Sequence, residues 1–319
     1  MTDKFRSPLA TDLERFLDFK HALGHPYRRA EFTLRSFDRF VHEQAPRGRR
    51  LAFADLVRRW LAQRNGRKPV SVACDLAPLR QFFLFRRRSN PGGFVPGSTF
   101  APQSTHSLFV PRVLSLTQVC VLLRATAQLR GVPFYGRTIQ TLLLVLYCTG
   151  LRFGEALRLR ICDVDLRRRF FVIHESKGRT RLVPFREDLA RKLRAYRHER
   201  DRVALPSTET FFVQPSGRPY STAVASVIVR QLLRRTGLKP ARGRVGPRPY
   251  DLRATFAVHR LTRWYKCGAD LSSRLPWLSA YMGHMDLLGT EVYLKATPEL
   301  IALASQRLRT RLHTAGTCR

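Results

Sequence analysis

Acidic residues are scarce in this sequence. Over 319 residues, 23 aspartates and glutamates stand against 58 lysines and arginines, giving a formal net charge of +35. A chain so charged repels itself and attracts polyanions, so nucleic acid is the expected partner, with an anionic membrane surface a distant second. Lysine is scarce too: there are eight, so arginine carries the charge. Its planar fork matches the oxygens of a phosphodiester better than a point charge does. The six cysteines (Cys74, Cys120, Cys148, Cys162, Cys267 and Cys318) form no Cys-x-x-Cys pair and no zinc-type Cys/His spacing. They are expected to be reduced and mostly set among apolar side chains, in a reducing cytoplasm. Long apolar runs are missing as well. The longest, Thr138 to Cys148, is bracketed by Arg137 and Arg152 and falls far short of the ~20 residues a membrane span needs. It predicts a buried helix. The opening stretch MTDKFRSPLATDLERF lacks the apolar core of a secretory leader, so none is expected. Neither a glycine-rich phosphate loop nor a metal cluster is present, and no cofactor is expected.

A chain of this length, 44% hydrophobic, has room for two domains with real cores. Helical spacing of apolar residues runs through residues 8–23 (Leu9, Leu13, Phe16, Leu17, Leu23) and 27–45 (Phe32, Leu34, Phe37, Phe40, Val41). It continues through 53–64 (Leu56, Val57, Trp60, Leu61) and 70–88 (Val72, Leu76, Leu79, Phe83). These predict a helical N-terminal domain over 1–90. Its basic residues, among them Arg28, Arg29, Arg58, Arg86, Arg87 and Arg88, predict a DNA-facing surface. Residues 91–111 are rich in Pro, Gly and Ser without periodicity and predict an extended linker. A second domain over 112–319 is predicted to be mainly α with a small β-hairpin sheet: strands at 169–175 and 180–185 turn at Ser176-Lys177-Gly178, among helices near 117–129, 137–148, 187–202 and 221–236. Asp251 is placed to cap the helix of YDLRATFAVHRL, and Arg179, Arg244 and Arg248 add basic side chains here.

The stretch LSAYMGHMDLLGTEVYLK, residues 278–295, draws these pieces together. Gly289 predicts a chain reversal, Thr290 a helix N-cap, and Tyr293 then falls in a first turn, near free N–H groups and the positive end of the helix dipole. That is a favourable place for a tyrosine oxygen to meet a phosphate. Attack by a tyrosine on a phosphodiester needs charge neutralisation at phosphorus, a route for the phenolic proton, and a proton for the leaving oxygen. Arg152 after Thr149-Gly150, Lys177 at the hairpin tip, Arg253 in a first helical turn, His284 after Gly283, and Tyr293 all lie at element starts. Their side chains are expected to point out of the domain.

In this order and context the set resembles the tyrosine recombinase (phage integrase) family. The matching pieces are TGLRFGEALRL, SKGRTRLVPF, YDLRATFAVHRL and LSAYMGHMDLLGTEVY, and together they cover about 113 to 297. The resemblance implies a two-domain, DNA-clamping strand transferase with an N-terminal core-binding domain. It implies that Arg152 and Arg253 hold the scissile phosphate, that Lys177 protonates the leaving 5′-oxygen, that His284 donates to the same phosphate, and that Tyr293 forms a 3′-phosphotyrosine bond. Glu155 matches the acidic residue that braces the site. Tyr250 stands where the family usually has histidine, a change that keeps a hydrogen-bonding group but not a base. The resemblance further implies double-stranded DNA as partner, no metal, a homo-tetramer or mixed tetramer on DNA, and a bacterial, nucleoid-associated location. The C-terminal stripe Leu300, Ile301, Leu308 and Leu312 suits packing either on its own domain or on a neighbouring subunit. A DNA binder of this fold unable to cut, and a type IB-like topoisomerase, are the alternatives.

Overall fold

Helices dominate the computed structural model, which describes residues 5–44, 52–64, 66–100, 112–129, 131–176, 179–294 and 298–316. Two units divide the chain, Met1–Leu108 and Phe109–Arg319. In the first, α1 (Ala10–Ala22), α2 (Arg28–Gln44), α3 (Phe53–Ala62) and α4 (Pro69–Arg86) surround one core. Pro69 opens α4 at the position where a missing N–H costs nothing. Phe37 meets Trp60 edge to face at 5.5 Å, and Phe16 meets Phe82 likewise at 5.8 Å. The buried Asp38 accepts the backbone N–H groups of Arg6 and Ser7, at 2.9 and 3.1 Å, and so pins the segment before α1. Buried Asp75 holds Arg64 at 3.0 Å and also pairs with Arg67.

Two residues predicted to face inward do not. Phe32 is 75% exposed, because two residues along a helix is a turn of about 200°, which sets it opposite the buried Leu34. Leu23 is 55% exposed, since the helix has already ended at Ala22. Part of the Pro/Gly-rich stretch packs on the N-terminal core. Phe94 packs on Phe83 at 5.3 Å and on Phe100 at 5.6 Å, and Arg80 donates to the Pro96 carbonyl at 2.7 Å. Residues 94–100 are thus tied to the N-terminal core by aromatic side chains set within the Pro/Gly-rich stretch.

The second unit is built around α6 (Pro133–Thr149), whose Ile139, Leu142, Leu143, Val145 and Leu146 are all at most 1% exposed. Before it, α5 (Leu116–Ala125) starts in a reciprocal cap: Ser115 Oγ accepts from Gln118 N, and Gln118 Oε1 accepts from Ser115 N. The short α7 (Phe153–Arg158) follows α6. The sheet has three strands where a hairpin is predicted: β1 (Val164–Asp165), β2 (Phe170–Ser176) and β3 (Arg179–Pro184), antiparallel in that order. Phe171 pairs with Val183 and Ile173 with Arg181, and the register slips between Ile173 and Ser176. Then come α8 (Glu187–Val203), α9 (Thr222–Arg235), α10 (Asp251–Lys266), α11 (Leu271–Met282), α12 (Leu288–Glu291) and α13 (Pro298–Gly316). No helix is predicted over α11; its start signal is Asp270, whose carboxylate accepts from Ser272 N and Ser273 N. Asp251 does not cap α10. It sits inside the helix and accepts from Arg248 N at 2.8 Å, closing the preceding loop instead. Cys74, Cys120, Cys148, Cys162 and Cys267 are free thiols on exposed residues, not the enclosed apolar groups expected. Among the described residues, no helix is long and apolar enough to cross a membrane.

Candidate active site

Three chain breaks converge in the second unit: the end of α6, the start of α10, and the turn after α11. Gly150 ends α6 in the left-handed conformation, φ 62°. Its carbonyl accepts Arg253 Nη1 at 2.7 Å. Gly283 ends α11 the same way, φ 70°, and its carbonyl accepts Arg152 Nη2 at 2.7 Å. The carbonyl before it, on Met282, accepts Arg253 Nη2 at 2.7 Å. Helix-end carbonyls left over by each helix are thereby used to orient two guanidinium groups that are distant in sequence.

Arg152 is also held from its own side. It precedes α7, and Glu155, three residues on, accepts both its backbone N–H at 2.9 Å and its Nη1 at 2.6 Å. Glu155 is buried, with a side chain 2% exposed, and it serves a second arginine: Arg181 of β3 donates to its two oxygens at 2.7 and 3.3 Å. Arg181 Nε reaches the Tyr281 carbonyl at 3.1 Å, so one side chain joins the sheet, α7 and the end of α11. A Cβ on Gly283 would lie 2.6 Å from Arg181 Nη1. Sequence reading missed Arg181. Its register opposite Ile173, a core residue, is the signal that could have found it.

Arg253 is among the most enclosed side chains in the protein, at 1% exposure. The expectation that it points out of the domain fails, since the turn of α10 that bears it packs inward. Burial lowers its pKa, the Tyr293 phenol opposes that shift, and Arg152 adds to it. The group stays a cation all the same. Its Nε is buried with no hydrogen-bond partner. His284 Nε2 sits 2.9 Å from Arg253 Nη2, and His284 Nδ1 is 2.7 Å from Thr290 Oγ1. Tyr293 is 4% exposed, its ring stacked beside that of His284 at 6.1 Å between centroids. Burial raises its pKa, while Arg253 and Arg152 pull it down.

The local reading of Thr290 and Tyr293 is therefore corrected. Thr290 lies inside α12, fully buried, and gives its hydroxyl to His284 rather than to a free N–H. Tyr293 follows α12 instead of opening a helix, with its N–H on the Thr290 carbonyl at 3.0 Å. What surrounds the phenol is two guanidinium groups, not a helix N-terminus. Tyr250 precedes α10, is 45% exposed, and bears electrostatically on both Arg253 and Tyr293. His259 lies elsewhere, with Nδ1 3.0 Å from the Tyr147 hydroxyl.

Residues 114–299 match the family model described as the phage integrase family. The chain belongs to the phage integrase family. It is 32% identical over 94% of its length to a Sinorhizobium fredii protein (y4rE) named as an integrase/recombinase, covering 95% of that protein. It is 27% identical over 93% of its length to the tyrosine recombinase XerA of Thermococcus kodakarensis, covering 94% of it. In fold it resembles the solved XerH site-specific recombinase bound to palindromic difH substrate, with a TM-score of 0.67 at 18% identity, covering 92% of this chain and 83% of that one. Phage integrases of the tyrosine recombinase type are DNA strand-transferring enzymes of site-specific recombination, and this chain is one of them.

Of the integrase residues expected to contact DNA, Arg28, Arg29 and Arg244 are exposed. Arg58 pairs with Asp55 at 2.9 Å, Arg86 with Asp12 at 2.6 Å and Arg248 with Asp251 at 3.4 Å, so their charges are partly neutralised in the free protein. Arg87 donates to the Pro91 carbonyl at 2.9 Å, and Arg88 lies over the Phe19 ring at 4.7 Å. Lys177 and the side chain of Arg179 lie outside the described residues. In the C-terminal stripe, Leu300 is buried at 1% on its own domain and Ile301 is 53% exposed; the side chains of Leu308 and Leu312 lie outside the described residues.

Proposed function

We propose that this protein cuts and rejoins double-stranded DNA through a 3′-phosphotyrosine intermediate on Tyr293, in the integration, transposition or resolution of a mobile element or replicon. Arg152, Arg253 and His284 hold the scissile phosphate, Lys177 protonates the leaving 5′-oxygen, Glu155 braces Arg152, and Tyr250 adds a hydrogen bond where the family usually has histidine. The observation that carries this reading is Arg253. A buried guanidinium whose Nε has no hydrogen-bond partner among the described residues, beside a second arginine and a tyrosine, is a cationic corner suited to an anion. A phosphate oxygen satisfies it, and the same cations stabilise the added charge at phosphorus during attack.

The covalent bond conserves the energy of the broken phosphodiester, so resealing needs no nucleotide. Burial holds the phenol protonated, and Tyr293 at 4% exposure has to leave its pocket to reach phosphorus. In this reading the turn after α12 shifts when DNA is bound, and release from burial lowers the cost of ionising the phenol beside the arginines. The N-terminal domain and the catalytic domain close on the duplex, and subunits assemble as a homo-tetramer, or a mixed tetramer with related recombinases, through the C-terminal helix.

The test is a duplex nicked beside the scissile phosphate, taken from DNA flanking the gene. The wild-type chain is expected to form a denaturant-stable protein–DNA adduct, and Tyr293→Phe to form none. DNA binding without any adduct would instead support a binder that cannot cut.

A further inference from the structure

Between Thr236 and Tyr250 the chain carries four cations, Lys239, Arg242, Arg244 and Arg248, and no acid. Lys239 is buried, at 4% exposure, and the strand-transfer reading leaves it without a role. Its N–H returns to the Leu233 carbonyl of α9 at 2.9 Å. Its side chain reaches the far end of the loop that it opens: Nζ donates to the Val245 carbonyl at 2.6 Å and to the Arg244 carbonyl at 3.4 Å. Arg234 Nη2 of α9 donates to the carbonyl before these, on Gly243, at 3.3 Å. Two cations thus hold three successive carbonyls. Gly246, φ 98°, brings the loop back onto the lysine stem, where a Cβ would stand 3.0 Å from Lys239 Cγ. The side chains of Arg242 and Arg244 are exposed. Burial lowers the pKa of Lys239, and Arg234, Arg112, Arg230 and Arg248 lower it further. An ammonium kept among so many cations is costly, but with three donors it can hold both carbonyls at once. The loop runs into Tyr250, whose charge bears on Arg253 and Tyr293, so it borders the candidate active site.

We propose that Lys239 is a positioning residue of the DNA interface: its ammonium ties the loop of residues 240–248 into one shape, which presents Arg242 and Arg244 to phosphates beside the scissile one. This rests on the proposed action on DNA, but not on cleavage by Tyr293. Arginines on a loop fixed in advance lose less freedom on binding than the same arginines on a loose one. Without the ammonium the Arg244 and Val245 carbonyls lose their common donor and turn to water, and the loop takes up other shapes.

Equilibrium binding of the full chain to a mixed-sequence duplex, followed by fluorescence anisotropy at about 100 mM salt, tests this without any cleavage. Lys239→Met keeps the stem and removes the charge; it is expected to weaken binding about 10-fold, the order of one phosphate contact at that salt. Arg242→Ala with Arg244→Ala is expected to weaken it by roughly 10- to 100-fold. In a chain already carrying those two changes, Lys239→Met is expected to cost less than about threefold more, because it acts through the two arginines. In the DNA-free proteins, trypsin cuts after Arg242 and Arg244, located by mass spectrometry, are expected about tenfold faster in Lys239→Met than in wild type. An equal loss from Lys239→Met with and without the two arginines overturns the proposal, since the lysine then acts by another route. Wild-type binding after loss of Arg242 and Arg244 also overturns it, with no change at Lys239 having to fold. A wild-type chain that binds duplex but forms no adduct sinks the phosphotyrosine reading alone, and the binding cycle still decides the role of Lys239.

Discussion

Among single residues, Glu155 is expected to have a large effect on stability. Its carboxylate, 2% exposed, is shared by Arg152 and Arg181, whose side chains are 18% and 11% exposed. Glu155→Gln removes a charge that offsets two enclosed cations, and is expected to destabilise the protein by about 3 kcal/mol, read from urea melts. Tyr196 gives a test by pH. Its ring is fully buried and its pKa is pushed by burial from 10.0 up to about 12. The unfolded chain therefore ionises this phenol first, and the folded state binds the proton more tightly. The stabilisation is complete below pH 10 and is lost as pH rises from there through about 12. Absorbance at the phenolate band, followed together with the far-ultraviolet dichroism of Tyr196→Phe and wild type, is expected to show a milder alkaline loss in the variant.

At the level of elements, the site is made by how helices end. Gly150 terminates α6 with φ 62°, and a Cβ there would lie 2.4 Å from Phe256 Cδ1, on α10. Gly150→Ala is expected to cost about 2–4 kcal/mol, from backbone strain and the displaced ring together. Because the Gly150 carbonyl also holds Arg253, adduct formation should fall with stability. Gly237, with φ 70° and nothing within 4 Å of its would-be Cβ, is the control: alanine there should cost only about 1 kcal/mol and leave cleavage unchanged. Thermal melts and the nicked-duplex assay on the two variants check both claims. The same geometry explains why α6 and α10 were legible as helices from apolar spacing, while the meeting of their ends was not. Spacing reports which face of a helix is buried, but not which carbonyl is left free at its terminus.

For the whole molecule, the net charge of +35 makes salt act in opposite directions on two observables. In the free protein, added salt screens the self-repulsion and is expected to raise the melting temperature. On DNA, the same salt removes the gain from counterion release. Binding is expected to weaken by about 10³-fold or more between 50 and 200 mM if six or more phosphates are contacted. Melts and fluorescence anisotropy over one salt series check this. A rise in DNA affinity with salt would exclude phosphate contacts as the main source of binding.

Much of the protein was legible without coordinates, for reasons that are local. Apolar periodicity marks the helices because a helix face repeats every few residues, and the arginine excess marks a polyanion partner because charge is additive along a chain. The boxes around Arg152, Arg253 and His284 could be read because each lies beside a glycine or a helix start written in adjacent residues, and Tyr293 because its order after them resembles the family's. Tertiary structure alone decided the rest. It turned Arg253 and Tyr293 inward, put Arg181 on Glu155 across 26 positions of sequence, and gave the Thr290 hydroxyl to His284 instead of to a helix end. Those are choices between partners that a side chain could equally have met locally. They are settled only when packing brings distant donors and acceptors within hydrogen-bond reach and shuts out the water that would otherwise have served.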